Sequence, residues 1–341
     1  MKKTLIAIAA IAAMGAASAE VTLYGKLDAG VSVKTDSTVG AVNQGAQFGS
    51  GNYETSRLGV KGSSEIASGV KGIFQIEGKL GATDGNFSNF GREAFLGLTG
   101  SFGTVAVGKM WTPYDSAFND ALEYNGFSAM GNAFYGGFHG DNGTDGSGAA
   151  KNSFQYTTPT VGGFNAVVMY APNADATATT SATNYTGFGV NYANGPLSVN
   201  LATEKVLTST HVKESMAGMY TNAWILAAGY NLGVATVNIG FESASADLAT
   251  GVSGKDTGTT IGLSIPVNKA TTVALGYATE TSTVAGVAND GKTTSVGAQV
   301  VYAWNAATAI YAGYNKTDTT AIGSTTTNTS TKFASGVRYN F

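Results

Sequence analysis

The chain has 341 residues and a formal net charge of −3, and it contains 47 glycines, 5 prolines and no cysteine. The lack of cysteine excludes a disulfide framework and thiol chemistry, and 19 basic against 22 acidic residues give no basic footprint for a nucleic-acid partner. Hydrophobic residues make up 43% of the chain, yet no run long enough for a transmembrane helix follows the N-terminus. The apolar residues are therefore distributed over many short elements.

Residues 1–19 have the pattern of a secretory signal peptide. Lys2 and Lys3 precede a stretch of mostly Ala, Ile and Leu, and Ala17-Ser18-Ala19 fits an A-x-A cleavage site. A short buried helix is the structural alternative. We expect cleavage after Ala19, which leaves residues 20–341 as one domain.

Residues 21–33 alternate strictly between apolar and polar side chains, as a β-strand with two different faces does. One face carries Val21, Leu23, Leu27, Ala29, Val31 and Val33, and the other carries Thr22, Tyr24, Lys26, Asp28 and Ser32. A strand of a soluble β-sandwich alternates in the same way. One strand therefore does not decide between a sandwich and a membrane barrel.

Similar patterns predict fifteen more strands, which makes sixteen. They lie at about 56–66, 70–80, 92–99, 104–110, 151–158, 162–171, 185–193, 196–206, 222–231, 234–244, 257–266, 270–280, 293–303, 307–317 and 331–341. The inward and outward faces are ambiguous for 92–99 and 307–317.

The connections between these strands alternate between short and long. Short turns fall at 67–69, 100–103, 159–161, 194–195, 232–233, 267–269 and 304–306, and long loops at 35–55, 81–91, 111–150, 172–184, 207–221, 245–256, 281–292 and 318–330. Short turns on one side and long loops on the other are typical of outer-membrane barrels. Because an unpaired backbone amide in hydrocarbon costs several kcal/mol, the first and last strands must pair. The predicted fold is all-β, a transmembrane antiparallel β-barrel of 16 strands.

The last strand shows the two environments most clearly. Phe333, Val337, Tyr339 and Phe341 share one face, and Lys332, Arg338 and Asn340 share the other. An apolar face beside a charged face indicates lipid on one side of the strand and water on the other.

The connection 111–150 is the longest, and a loop of this length is usually functional or disordered. Its first half is rich in aromatic residues, among them Trp111, Tyr114, Phe118 and Tyr124. These residues favour a loop that folds into the barrel. A loop that caps the barrel mouth or packs on a neighbouring subunit is the alternative.

Several motifs together resemble the general trimeric porins of Gram-negative outer membranes, and the β-proteobacterial branch most closely. They are Val21-Thr22-Leu23-Tyr24-Gly25 with Asp28-Ala29-Gly30, Ser56-Arg57-Leu58-Gly59-Val60-Lys61-Gly62, Arg92 with Phe95-Leu96-Gly97-Leu98, Phe102-Gly103-Thr104-Val105-Ala106-Val107-Gly108, Lys151-Asn152-Ser153-Phe154-Gln155-Tyr156 and Gly336-Val337-Arg338-Tyr339-Asn340-Phe341. The resemblance spans residues 20–341.

The resemblance implies a water-filled channel for passive diffusion of small hydrophilic solutes and ions, without a cofactor or a metal. It implies a homotrimer in the cell outer membrane, in contact with outer-membrane lipids and lipopolysaccharide. The subunit contact would be the outer face of the first five strands, where Ala29, Gly72 and Gly97 are small, with the loop 81–91 as a latch. Tyr339 and Phe341 would form the terminal aromatic motif that the barrel-insertion machinery reads.

The resemblance also implies a constriction with a transverse field, in which basic residues of the barrel face acids of the long loop 111–150. The matching basic positions are Arg57, Arg92 and Lys151, and the matching loop acids are Asp115, Asp120 and Glu123. In many relatives the position of Lys151 holds a third arginine. Further candidates for the lumen, by their place on the polar faces, are Lys26, Lys61, Lys71, Lys79, Lys332 and Arg338. On the polar faces near this wall, lysines and arginines outnumber acids, which favours a weak anion preference of the channel.

Three other functions fit a barrel of this kind. A barrel enzyme would need catalytic groups, and His139 and His211 lie in different loops, where a single histidine is usually solvated. No Cys/His cluster offers a zinc site. A surface adhesin would not need arginines on an inner face. A substrate-specific channel remains the nearest alternative.

Overall fold

The computed structural model describes residues 20–38, 44–121, 148–172, 184–207, 222–247 and 253–341, and the predicted signal peptide lies outside them. These residues form the strands β1 (Glu20–Asp36), β2 (Gln44–Ser50), β3 (Arg57–Ala67), β4 (Val70–Leu80), β5 (Phe87–Gly100), β6 (Gly103–Trp111), β7 (Ala149–Thr157), β8 (Phe164–Ala171), β9 (Asn184–Asn194), β10 (Leu197–Leu207), β11 (Asn222–Asn231), β12 (Thr236–Asp247), β13 (Ser253–Pro266), β14 (Thr271–Val284), β15 (Gly291–Ala303), β16 (Thr308–Thr320) and β17 (Thr327–Asn340), and the helix α1 (Pro113–Ala121).

The strands form one antiparallel sheet that closes on itself. From β3 onward each strand pairs with the next in sequence up to β17, and β17 pairs with β1 from Lys26↔Asn340 to Asp36↔Ser330. β2 and β3 both pair with β1, one after the other along its length, so the seventeen segments occupy sixteen positions in the barrel. Closure extends to the last residue, because Gly25 and Phe341 exchange backbone hydrogen bonds of 2.9 and 3.1 Å. The predicted barrel of 16 strands is confirmed.

The two faces of the barrel differ as the alternation predicted. On β11, Trp224 and Leu226 are 44% and 36% exposed, whereas Ala223 and Ile225 are 2% and 0% exposed. Across the described strands the outer positions hold large apolar side chains, and the buried inner positions hold mostly small or polar ones. The inner face is thus the only one that can present charge without contact with lipid.

The two strands of ambiguous parity are resolved by their exposed residues. On β5, Leu96 and Leu98 are exposed, and on β16 so is Tyr314, while Tyr311 is buried. Large aromatic side chains on the inner face explain why the pattern was ambiguous. Gly97 alternates with the two exposed leucines of β5 and is buried. Its assignment to the outer contact face was therefore wrong.

Several strands extend further toward the long loops than predicted. β13 begins at Ser253 instead of 257, the loop after β16 shrinks to 321–326, and the loop after β4 to 81–86. The predicted loop 35–55 contains β2, and the loop 111–150 begins with α1. The extensions at 253–256, 318–320 and 327–330 carry mostly polar residues on both faces, so they lack the apolar-polar alternation that marks a strand in contact with lipid.

The short turns need backbone conformations that glycine adopts most easily. Gly69, Gly195 and Gly233 have φ values of 75°, 57° and 84°, in the left-handed region that is costly for other residues. The one helix in the described ranges, α1, is too short to cross a membrane.

Candidate functional site

A charged cluster lies on the inner face of β3, β4 and β5. Glu77 of β4 lies between two arginines: Arg92 Nε is 2.6 Å from its Oε1, and Arg57 Nε is 3.6 Å from its Oε2. The Tyr24 hydroxyl of β1 also donates a hydrogen bond of 3.0 Å to Glu77. One carboxylate therefore holds two guanidinium groups side by side, and a second inner acid, Glu93 of β5, lies opposite Glu77 and accepts a hydrogen bond from Gln75.

An irregularity in the sheet helps to bring Arg92 to this cluster. The register between β4 and β5 shifts between Glu77 and Lys79. A register shift of this kind is a β-bulge, which changes the direction in which neighbouring side chains point. The guanidinium of Arg92 then lies over the Trp111 ring, 5.0 Å from its centroid. A cation placed over an aromatic face is held electrostatically, so Arg92 is fixed from two sides.

A cavity beside this cluster is lined by three cations. Lys26, Arg57 and Lys61 line it together with Glu77, and Tyr24, Gly25, Gln75, Asn340 and Phe341 complete the lining. Lys61 lies over the Tyr24 ring at 5.3 Å rather than against a carboxylate. Lys26 pairs with Glu54, which also binds Arg338 of β17.

The helix α1 packs on the inner face of the opposite strands. It begins at Pro113, a favoured first helical residue, and the Thr112 hydroxyl caps it by accepting a hydrogen bond of 3.1 Å from the Asp115 N–H. Tyr114, Ala117 and Phe118 of α1 form a buried cluster with Ala202, Ala223, Ile225, Ala227, Ala244 and Ala278 of the barrel. Burial of Tyr114 and Phe118 contributes about 1.5–3 kcal/mol each.

A hydrogen bond adds to this packing. The Tyr114 hydroxyl donates to Glu242 Oε2 of β12 at 2.7 Å, and both groups are buried. Alanines of β10, β11, β12 and β14 in this cluster leave the space that the helix fills. The start of the 111–150 loop is thereby fixed to the inner side of the barrel.

The structure brings only part of the predicted constriction set together. Arg57 and Arg92 share Glu77, whereas Lys151 lies near the start of β7. Asp115 is buried in the first turn of α1, where a carboxylate interacts favourably with the helix dipole. The side chain of Asp120, and the whole of Glu123, lie outside the described residues, as do His139 and His211.

The remaining candidates lie on the predicted strands. Lys71 and Lys79 of β4 are exposed, Lys332 and Arg338 of β17 are partly buried, and Tyr339 and Phe341 are exposed at the end of the chain, where their rings stack at 6.4 Å. Among the described residues, no group of three or more His, Cys, Asp or Glu side chains is placed to hold a metal ion.

Several inner acids were missed by the sequence analysis. Glu77 shares its parity with Lys71 and Gln75, so the alternation of β4 could have identified it. Glu54 lies between β2 and β3 in what was predicted as loop. Nothing local marks it as a residue of the inner face.

Residues 4–322 match the family model described as Gram-negative porin. The chain belongs to the Gram-negative porin family. Outer membrane porin protein 32 of Delftia acidovorans is 35% identical over 290 residues, which cover 82% of this chain and 80% of that protein. Major outer membrane protein P.IB of Neisseria meningitidis serogroup B is 34% identical over 201 residues, 57% of this chain and 56% of that protein.

Solved structures agree with this assignment. An anion-selective porin from Comamonas acidovorans matches with a TM-score of 0.79 and 26% identity, over 95% of this porin and 100% of that chain. OmpT of Vibrio cholerae in its trimer form matches with a TM-score of 0.72 and 18% identity over 95% of this porin and 100% of that chain, and that likeness concerns the fold alone.

The predicted resemblance is confirmed, and with it the outer-membrane location and the channel function. The porin is an outer-membrane barrel that forms a diffusion channel. Its relatives are porins, which are channels rather than enzymes.

The contact between Tyr114 and Glu242 can be tested by Tyr114→Phe. This change keeps the ring but removes its hydrogen bond to the buried Glu242 carboxylate, and a hydrogen bond to a charged group contributes about 1.5–3 kcal/mol. We expect larger current fluctuations in single channels, because the start of the 111–150 loop is held less firmly. Tyr156→Phe is the control, since its hydroxyl binds an exposed backbone carbonyl at Phe102. Equal current noise in both variants would show that this hydrogen bond does not hold the loop.

Proposed function

We propose that the porin is a general diffusion channel with a weak preference for anions, and that its charged inner face sets this preference. The observation that carries the proposal is the cavity in which Lys26, Arg57 and Lys61 accompany one acidic side chain, that of Glu77. The low-dielectric walls of a pore focus the field of such charges. The anion-selective porin of Comamonas acidovorans is a relative that supports the same sign.

We further propose that the segment 111–150 narrows the lumen. The packing of α1 against β8 to β12 supports this, since it directs the start of the segment inward. Asp120 and Glu123 would then face Arg57, Arg92 and Lys151 across the water-filled gap. Solutes and ions would move down their gradients without a cofactor, and we expect no enzymatic activity.

The proposed export route follows from the N-terminal pattern. Cleavage after Ala19 would start the mature chain at Glu20, which is the first residue of β1. We propose that the insertion machinery then reads Tyr339 and Phe341, which are exposed at the closing strand. Outer-membrane lipids and lipopolysaccharide would surround the aromatic and aliphatic outer face.

We also propose a homotrimer, since a related fold is described in a trimer form and closed symmetric oligomers are the rule. The contact would use the outer face of β1 and β3 to β6, where Leu96, Leu98 and Val107 are exposed beside the small Ala29 and Gly72. The proposed latch is the loop 81–86. Asp84 gives this loop a negative charge at neutral pH, and hydrogen bonds from the Asn86 backbone N–H and side-chain amide lower the pKa of Asp84 further.

Reversal potentials across planar bilayers under a salt gradient test the proposed selectivity. Arg57→Glu should lower the anion-to-cation permeability ratio by about threefold or more, because it reverses one charge in the focused field. Asp120→Asn should raise the ratio. Lys269→Glu, the same charge reversal in an exposed short turn, is the matched control and should leave the ratio unchanged. A ratio for Arg57→Glu equal to that of this control would contradict the proposal.

The trimer is tested by cross-linking and light scattering in mild detergent. Gly72→Leu places a larger side chain on the proposed contact face, so its trimers should dissociate at a lower temperature than those of the wild type. Thr259→Leu, an outward position on β13, is the control and should dissociate like the wild type. Wild-type protein that is monomeric throughout would refute the trimer.

A further inference from the structure

The chain leaves the plane of the sheet between β2 and β3. Ser50 at the end of β2 pairs with Ala29, and Arg57 at the start of β3 pairs with Lys26. Residues 51–56 therefore lie beside only two residues of β1, at positions 27 and 28. Six residues cannot lie flat in the space of two, and their side chains contact groups of the inner face. This excursion is called the inner turn below.

A single carboxylate holds the inner turn against the barrel. Asp28 is 0% exposed, and it accepts hydrogen bonds from the backbone N–H groups of Asn52, Tyr53 and Glu54 at 3.2, 3.1 and 2.9 Å. The Tyr311 hydroxyl donates a fourth hydrogen bond of 2.7 Å. Hydrogen bonds to a charged group are stronger than neutral ones, so Asp28 is the main anchor of the turn.

Tyr311 reaches Asp28 from two strands away, because β17 lies between β16 and β1. Its hydroxyl passes over two paired glycines, Gly30 and Gly336. A methyl group added to Gly336 would lie 2.5 Å from this hydroxyl oxygen, and one added to Gly30 would lie 2.9 Å from it. The glycine pair therefore opens the path by which Tyr311 joins β16 to β1 across the closing strand.

The inner turn delivers one acid to the line where the barrel closes. The Glu54 carboxylate binds both Lys26 of β1 and Arg338 of β17, and these three side chains are only 14–21% exposed. The Arg338 guanidinium also lies over the Tyr53 ring at 5.1 Å, and that ring is 5.2 Å from the ring of Tyr311. The single negative charge of Glu54 thus offsets one of the two positive charges of Lys26 and Arg338.

We propose that Glu54 is a selectivity-determining residue of this porin and that Asp28 is the positioning residue that holds it between Lys26 and Arg338. Glu54 limits the anion preference that the basic inner face would otherwise produce. Asp28 acts on permeation through the inner turn rather than through its own charge, which is shielded from water by four hydrogen bonds. The inference rests on the proposed function, since it concerns the same charged surface.

The test compares reversal potentials of the full-length porin in planar bilayers under a potassium chloride gradient. Glu54→Gln should raise the chloride-to-potassium permeability ratio by about twofold, because one negative charge leaves a field that the pore focuses. Asp290→Asn is the matched control. It removes the same charge from an exposed external loop and should leave the ratio unchanged.

Asp28→Asn separates positioning from direct electrostatics. The single variant should raise the permeability ratio as Glu54→Gln does, because the released turn withdraws Glu54 from its two cations. In the double variant with Glu54→Gln, the Asp28 substitution should add nothing. Tyr311→Phe removes one hydrogen bond to Asp28 and keeps the ring. It should give a smaller rise in the permeability ratio, and this rise should also disappear in the Glu54→Gln background. If Asp28→Asn does not assemble into a channel, Tyr311→Phe tests the same point.

Two results would overturn the inference. A permeability ratio for Glu54→Gln equal to that of Asp290→Asn would remove Glu54 from the selectivity determinants. Additive effects of Glu54→Gln with Asp28→Asn or with Tyr311→Phe would show that the anchor acts separately from Glu54. In either case a shift in Arg57→Glu would leave the proposed function standing, whereas no shift in Arg57→Glu would remove the proposed function itself.

Discussion

The pairing of the first strand with the last is the constraint on which the rest of the structure depends. A sheet edge in hydrocarbon leaves a row of unpaired backbone amides, each of which costs several kcal/mol, so the barrel must close at β1 and β17. The closing register runs from Asp36↔Ser330 down to Lys26↔Asn340 and ends with the Gly25–Phe341 pair. Once the sheet is closed, each strand has one face toward lipid and one toward the lumen.

Where β1 pairs with β17, the inner face also carries side-chain contacts between residues far apart in sequence. Glu54 joins β1 to β17 through Lys26 and Arg338, and Tyr311 joins β16 to Asp28. The second charged cluster, around Glu77, lies directly beside these contacts, because Lys26 pairs with Arg57 and both line one cavity with Glu77. In both clusters one carboxylate lies between two cations, so the charges inside the barrel stabilise one another.

The sequence predicts the parts of this structure that repeat. The alternation of β1 and β17, the count of sixteen strands and the long-short order of the connections all follow from the contrast between lipid and water. Where an inner position holds a large aromatic residue, as Phe95 and Tyr311 do, the same rule becomes ambiguous. Beyond the lipid-facing band the rule has no physical basis, and β2 and the outer ends of the strands were missed.

The candidate site was predictable only in part. Arg57 and Arg92 were identified through resemblance, and they do lie together, but their common partner Glu77 and the inner turn with Glu54 were not foreseen. The alternation of β4 could have identified Glu77, whereas the inner turn depends on contacts between residues far apart in sequence, such as Asp28 with Tyr311, which no local pattern encodes. The central claim is that each barrel strand has one face in contact with water and the other in contact with lipid. Because the chain has no native cysteine, thiol labelling of introduced cysteines is the most direct test of this claim. In lipid vesicles a membrane-impermeant thiol reagent should modify Lys332→Cys through the pore and leave Phe333→Cys unmodified, and equal labelling at these neighbouring positions would contradict the account.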